Sequence, residues 1–324
     1  MKKKNIAVVA GGYSSEYEVS LRSAETVRAS IDTERYRVYG VTLGRDAWTA
    51  TLPDGTETPV NKNDFSFCCG DDTVAVDYAY ITVHGAPGED GRLQGYLDML
   101  RIPYSSCGVL ASALTFNKYV CNRFLESQGI AVAASIRLRR GEHIAADEIV
   151  ARLGLPVFVK PNDSGSSFGV SKVKNAAQMQ PAMEKAFAEG DEVIVERYVP
   201  GVEVTCGCYR VKDDLIALPL TEVVPANEFF DYGAKYNGES QEITPARLSG
   251  ELAGQIQQET KKIYELVGAR GLIRVDYMIP AGGQPVLLEV NTTPGMTAAS
   301  FIPQQIRAAG SDLRNVLTDI IENG

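Results

Sequence analysis

The sequence predicts an α/β protein, with a parallel α/β region at its N-terminus and two further regions built of strands and helices. Three observations carry this. The first third alternates short apolar strands with helix-period segments, as parallel sheets require. The middle third places two strands around a Ser/Gly loop at 161–169. The last third holds two strands, within 272–291, whose residues alternate between apolar and polar. A chain of 324 residues also exceeds what one core covers, so it divides at 1–101, 102–190 and 191–324.

Taken in order, residues 5–10 form a short apolar strand, and Ala24, Val27 and Ile31 follow at helical spacing. Residues 36–43 and 78–83 return to strands, and 91–100 to a helix. Parallel sheets meet ligands at the carboxyl ends of their strands. Segments 11–16 and 84–91 both stand there. Residues 117–128 form a helix stopped by Gly129; 157–160 and 170–173 are strands; 176–188 is a helix. A polar stretch at 225–245 has no clean period, and loops of that length are functional lids or disordered. Leu252, Ile256, Ile263, Leu266 and Val267 make one apolar helical stripe that Gly268 ends. Leu313, Val316, Leu317, Ile320 and Ile321 make another, with Ser311 as its expected cap.

Composition narrows the function. Hydrophobic residues are 44% and charged residues 23%, as in soluble globular proteins. A net charge of -9 argues against non-specific nucleic-acid binding. No segment has the length of a membrane span, and the apolar run after Met1-Lys2-Lys3-Lys4 is too short for a signal-peptide core. The six cysteines show no disulfide spacing. Cys206-Gly207-Cys208 lies far from His84 and His143, so it reads as reduced thiols on a strand rather than a metal site. A cytoplasmic location is expected.

The chemistry concentrates at 272–294. Ile273, Val275, Tyr277 and Ile279 point one way and Arg274 and Asp276 the other. Past a turn at 280–283, Val286, Leu288 and Val290 share one face, and Glu289 and Asn291 share the opposite one with Leu287. A symmetric hairpin then sets Asp276 across from Glu289 and Arg274 across from Asn291, with opposed Cβ atoms about 5 Å apart. Two carboxylates and an amide are hard oxygen donors that suit magnesium, with phosphates and water completing its shell. Arg274 beside them can stabilise a transferring phosphoryl group. The alternative is a solvent-exposed face of cross-strand ion pairs.

Lys160 enters the Ser/Gly loop, whose hydroxyls include Ser164, Ser166 and Ser167. The loop lacks P-loop spacing. It reads either as a surface turn or as a flap whose N–H groups cover phosphates. Lys118 is a second candidate nucleotide contact. Segment 196–203 follows a strand and can offer backbone groups to a purine and a carboxylate to a ribose, or can be an ordinary strand turn.

With these residues in hand, the chain resembles the ATP-grasp enzymes, and closely the D-alanine–D-alanine ligase family, over nearly its whole length. The matching segments are 11–20, 84–91 with Leu93-Gln94-Gly95, 160–169, 196–203, Lys235-Tyr236, Arg274-Val275-Asp276 and 288–296. The resemblance implies an N-terminal domain followed by two ATP-grasp subdomains, with nucleotide between them and a lid at 225–245. Asp276, Glu289 and Asn291 would hold two magnesium or manganese ions. Lys118, Lys160, Ser167, Glu196, Tyr198, Val199 and Glu203 would hold ATP. Glu16 would bind the amino group of the first D-alanine, with His84 near it. Arg274 and the Gly295 N–H would form an oxyanion hole. Ser300 would bind the carboxylate of the second D-alanine. Ser166 and Tyr236 would link to Glu16, and Lys235 would join Tyr236 on the lid.

The implied reaction phosphorylates the first D-alanine carboxylate, and the second D-alanine amine then displaces phosphate, for peptidoglycan precursor synthesis. A homodimer is implied too. Phe301 follows Ser300 where the family often has leucine, so Phe301 borders the acceptor site. D-lactate or D-serine is the alternative acceptor, although Tyr236 after Lys235 favours D-alanine. A catalytically silent nucleotide-binding protein would have lost a metal ligand or Arg274, and none is lost.

Overall fold

The computed structural model describes residues 3–163, 165, 168–225 and 240–323. Three sheets organise it. In the first, Lys4–Gly11 is buried on both faces and runs parallel to Tyr36–Leu43 on one side and Tyr78–Ile81 on the other. Ile6, Val8 and Ala10 pack against Ala24 and Val27 of the helix Tyr17–Ser30. Ala7 and Val9 pack on the opposite face with Leu93 and Leu97 of the helix Arg92–Leu100. Helices on both faces explain why this strand reads as an unbroken apolar run.

The sheet is not purely parallel. Trp48–Thr51, Glu57–Asn61, Ser66–Cys69 and Asp72–Val74 extend it as an antiparallel meander beyond Tyr36–Leu43. These four strands escape the sequence pattern because each has only three to five residues, too few for a clear alternation.

The second sheet orders Ser171–Val173, Val157–Pro161, Glu192–Arg197 and Ser135–Arg139, all antiparallel. Its back is covered by the helices Ala146–Leu153 and Met179–Phe187. Glu192–Arg197, expected in the third region, therefore belongs here, paired on both edges. The chain crosses to the third sheet only after it, at 198–201.

The third sheet orders Ser240–Ile243, Thr221–Pro225, Val202–Val211, Leu272–Ile279 and Val286–Asn291, with Asp214–Ala217 also on Val202–Val211. One face packs on the helix Gly250–Leu266, started by the Ser249 hydroxyl accepting from Leu252 N. The helix Lys118–Ser127 joins the same core, started by the Asn117 side chain accepting from Val120 N. The last helix, Leu313–Asn323, is capped by Asp312 and not by Ser311. Asp312 Oδ1 accepts from Arg314 N at 2.6 Å and Asn315 N at 3.4 Å, the reach that a side chain one residue before the helix has. This helix returns to the first sheet, packing Val316, Leu317 and Ile320 with Ile6 and Val8.

All six cysteines are free, and Cys206 and Cys208 are buried thiols on Val202–Val211 that burial pushes up to about 12. Among the described residues, no helix is long and apolar enough to cross a membrane.

Candidate active site

The hairpin Leu272–Ile279 and Val286–Asn291 pairs Arg274 with Asn291 and Asp276 with Glu289, the register its alternation predicts. Beyond Asp276 the register slips, so that Tyr277 faces Leu287. The extra residue is Leu288. Leu287, not Leu288, therefore packs in the core with Tyr277 and Val290, while Leu288 lines the cleft over the sheet. The sequence expectation for these two leucines is reversed by one bulge.

The polar face is tightly bonded. Arg274 Nε and Nη2 donate to Asp276 Oδ1 and Oδ2 at 2.8 and 2.7 Å. The Thr205 hydroxyl donates to Asp276 Oδ1 at 2.6 Å. Asn291 Nδ2 donates to Asp276 Oδ2 at 3.1 Å and Glu289 Oε1 at 3.5 Å. The Arg274 guanidinium also stacks over the Phe301 ring, 5.4 Å from its centroid. This is a largely enclosed cluster, not the exposed ion-pair face weighed as the alternative.

Cations converge from the facing elements. Lys118 Nζ lies 3.4 Å from Glu289 Oε2, and Lys160 Nζ 2.6 Å from Glu196 Oε2. Burial alone would depress the Lys118 ammonium, but Glu289 and other carboxylates outweigh it and raise its pKa. Glu196 is held in turn by Asn122 Nδ2 at 3.2 Å. These groups border a cleft of about 350 Å³ between the second and third sheets. Phe158, Tyr198, Val199 and Glu203 line it too, with the Phe158 and Tyr198 rings 5.9 Å apart. An apolar wall with a few charged groups is the form of a small-molecule site.

Glu16 and His84 lie at the carboxyl ends of the first sheet's strands. Glu16 is buried, and a Cβ on Gly165 would collide with its carboxylate, so the Ser/Gly loop reaches this side through a glycine. The Ser14 hydroxyl donates to His84 O at 2.8 Å and accepts from Glu16 N at 3.2 Å, fixing the two segments together. Burial lowers the His84 pKa, so its ring is neutral at pH 7. Its Nε2 lies 3.3 Å from Ser23 Oγ, which accepts from Met296 N at 3.2 Å. The turn after Asn291 is thereby tied to His84. In that turn Gly295 packs on Ser300, where a Cβ would lie 3.1 Å from Ser300 Oγ. Ser300 Oγ bonds Thr297 Oγ1 at 2.8 Å. Ser166, Ser167, Lys235 and Tyr236 lie outside the described residues.

Sequence reading missed Thr205, Ser23 and Glu89. Thr205 shares the alternation of Glu203 along Val202–Val211, so period-two spacing could have found it. Ser23 sits among the apolar positions of Tyr17–Ser30, and a serine on a buried stripe is itself a signal. Nothing in sequence isolates Glu89. Its carboxylate accepts from Gly85 N at 2.7 Å. Burial, then the Glu16 carboxylate, push its pKa up to about 8.

A carboxyl raised in this way keeps its proton in the fold up to about pH 8, while the unfolded chain releases it near 4.5. Stability from this group is therefore lost as pH rises through that window. Glu89→Gln is expected to flatten the decline in thermal midpoint between pH 6 and pH 9, measured without ligands. An unaltered slope would show that Glu89 is ionised at neutral pH.

For a metal, the test is the donor set. Among the described residues, no group of three or more His, Cys, Asp and Glu forms a metal cluster. What is present is two opposed carboxylates bridged by one amide, in a face already rich in countercharge. That fits a hard cation that takes few protein ligands and completes its shell with phosphates and water.

Comparison with known proteins agrees. The models of the D-ala D-ala ligase N-terminus and C-terminus match residues 5–107 and 124–322. The D-alanine–D-alanine ligase of Parabacteroides distasonis is 62% identical over 99% of this chain and 97% of its own. VanG D-Ala:D-Ser ligase from Enterococcus faecalis superposes with a TM-score of 0.88, at 34% identity over 99% of each chain. D-alanine–D-alanine ligase from Bacillus anthracis complexed with ATP superposes at 0.79, with 30% identity over 98% of this chain and 96% of that one. By both family models and full-length identity, the chain belongs to the D-alanine–D-alanine ligase family.

Proposed function

We infer that the chain joins two D-alanine molecules into D-alanyl-D-alanine, converting ATP to ADP and phosphate. The observation that carries this is the face of Arg274, Asp276, Glu289 and Asn291 beside Lys118 and Lys160, in a member of the ligase family. The ATP-bound relative supports ATP as the phosphoryl donor.

In the first step the first D-alanine carboxylate attacks the γ-phosphorus and the bond to ADP breaks, giving an acyl phosphate. Such transfer needs positioning and charge neutralisation more than a covalent nucleophile. Lys118 and Lys160 would pair with phosphates, and Glu203 and Val199 would contact the nucleoside; that all four line one cleft supports this. Glu16 would receive the first D-alanine ammonium, and its burial at the carboxyl ends of the first sheet's strands, near His84, supports that role. In the second step the amine of the second D-alanine attacks the acyl carbon, and phosphate leaves. Arg274 and the Gly295 N–H would stabilise the oxyanion, and Ser300 would hold the acceptor carboxylate, as the family resemblance implies. Asp276, Glu289 and Asn291 would hold two magnesium or manganese ions, which when bound neutralise charge on the phosphates. Ser166, Ser167, Lys235 and Tyr236 keep the roles that the family resemblance implies.

The same reading includes a cytoplasmic homodimer and a division at 1–101, 102–190 and 191–324. The three sheets support three parts, with Glu192–Arg197 carried over to the central one. Acceptor choice has a second reading, D-serine, favoured by the likeness to the VanG D-Ala:D-Ser ligase.

The test is phosphate release from ATP and magnesium with D-alanine alone, or with D-serine or D-lactate added, products being identified by mass. D-alanyl-D-alanine as main product is expected. A mixed product would move the acceptor, and no release with any D-amino acid would overturn the reading. Removal of divalent metal with EDTA is expected to stop release, and magnesium or manganese to restore it. Release indifferent to EDTA would take Asp276, Glu289 and Asn291 out of the metal role.

A further inference from the structure

The Cys206-Gly207-Cys208 motif has no part in the chemistry above, yet its glycine sits at a crossing point. Gln305, on the helix Phe301–Ala308, is fully buried. Its Oε1 accepts from Gly207 N at 2.9 Å. Its Nε2 donates to Thr205 O at 3.0 Å and to Thr221 Oγ1 at 3.2 Å. Pairing between Val202–Val211 and Thr221–Pro225 ends at Thr205 and Thr221. The carboxamide thus takes the place of the next peptide unit, donating and accepting as a neighbouring strand would. A Cβ on Gly207 would come within 2.8 Å of Gln305 Oε1 and 2.6 Å of Ile302 Cδ1, so only glycine lets the helix approach this closely.

Both ends of this contact lead to the candidate site. Thr205, whose carbonyl Gln305 holds, donates its hydroxyl to Asp276 Oδ1 at 2.6 Å. Phe301 lies one turn before Gln305 on the same helix face and stacks under Arg274. Ser300, immediately before the helix, packs on Gly295. We propose that Gln305 is a positioning residue for ligation: seated on Gly207, it fixes Ser300 and Phe301 beside Arg274, and Thr205 beside Asp276. This rests on the reading that Ser300 and Phe301 border the acceptor.

The test begins with wild-type enzyme, whose failure to form D-alanyl-D-alanine would sink the functional reading and this inference with it. Given an active wild type, Q305M keeps the volume and removes all three bonds. The acceptor KM, from D-alanine titration, is expected to rise about tenfold, because small misplacements of reacting groups are costly. The KM for ATP is expected to stay within about twofold, since Lys118, Lys160, Glu196, Tyr198 and Val199, which line the cleft away from the acceptor, come from elements that Gln305 does not touch. An unchanged acceptor KM would overturn the proposal. So would equal losses for ATP and D-alanine that track a fall in thermal midpoint. Q305A, which removes the carboxamide and leaves Gly207 as glycine, keeps the test open should Q305M not fold. The same rise is expected from it; a wild-type acceptor KM would mean that the carboxamide is dispensable, and would also overturn the proposal.

Discussion

Glu289→Gln is expected to slow phosphate release from ATP by at least about 10³-fold, equivalent to about 4 kcal/mol of barrier, while the chain stays folded. The substitution keeps size and hydrogen bonding but removes one of two opposed carboxylates. Glu289 lies across from Asp276, is bridged to it by Asn291, and faces Lys118 at 3.4 Å. Without its charge, the face can no longer neutralise a cation held against the phosphates, and the barrier rises with the uncompensated charge of the transferring group. Some stability is lost with that charge, because Lys118 is mostly buried and Glu289 is the first of the carboxylates that offset its burial. Single-turnover ADP formation, compared with circular dichroism and thermal melting, reads both effects. Turnover near the wild-type rate would remove Glu289 from the metal role.

Arg274→Ala is expected to lower turnover by about 10²- to 10³-fold, the range found when one oxyanion donor is lost. Unlike Glu289, this residue also carries structure. It chelates Asp276 through two nitrogens and covers the Phe301 ring. Its loss leaves a mostly buried carboxylate with one cation fewer, which costs about 3–5 kcal/mol where burial is complete. A lower thermal midpoint should therefore accompany the lost rate. Arg274→Lys is expected to recover the stability in part and the rate poorly, because an ammonium cannot make the two-pronged contact. Rapid-quench measurement of both half-reactions with melting curves separates the two losses. Wild-type turnover in Arg274→Ala would exclude an oxyanion role.

Much of this was legible in the residues themselves. Alternation at period two fixes which side chains share a face, and the turn at 280–283 fixes where the hairpin reverses. Arg274 against Asn291 and Asp276 against Glu289 are the pairs those two facts predict, and they are met beyond a one-residue bulge that the sequence does not show. The strand at 36–43, the helix starting after Asn117 and the C-terminal helical stripe are likewise local patterns, and each appears in the fold at or near its predicted bounds.

What sequence could not supply was anything set by a partner distant along the chain. The slip after Asp276 exchanges Leu287 and Leu288 between core and cleft, because Tyr277 and the helices behind it fill one side of the sheet. Glu192–Arg197 joins the central sheet because two strands flank it there. The raised pKa of Glu89 needs Glu16, and the neutral ring of His84 needs its enclosure. Gly207 and Gln305 meet across 98 residues. The sequence by itself determined the family and the shared face of Arg274, Asp276, Glu289 and Asn291, since these depend on residue type and short-range period. Only the tertiary structure decided which faces meet, how deeply each charge is buried and which glycine admits a helix, because burial and close approach depend on what packs opposite.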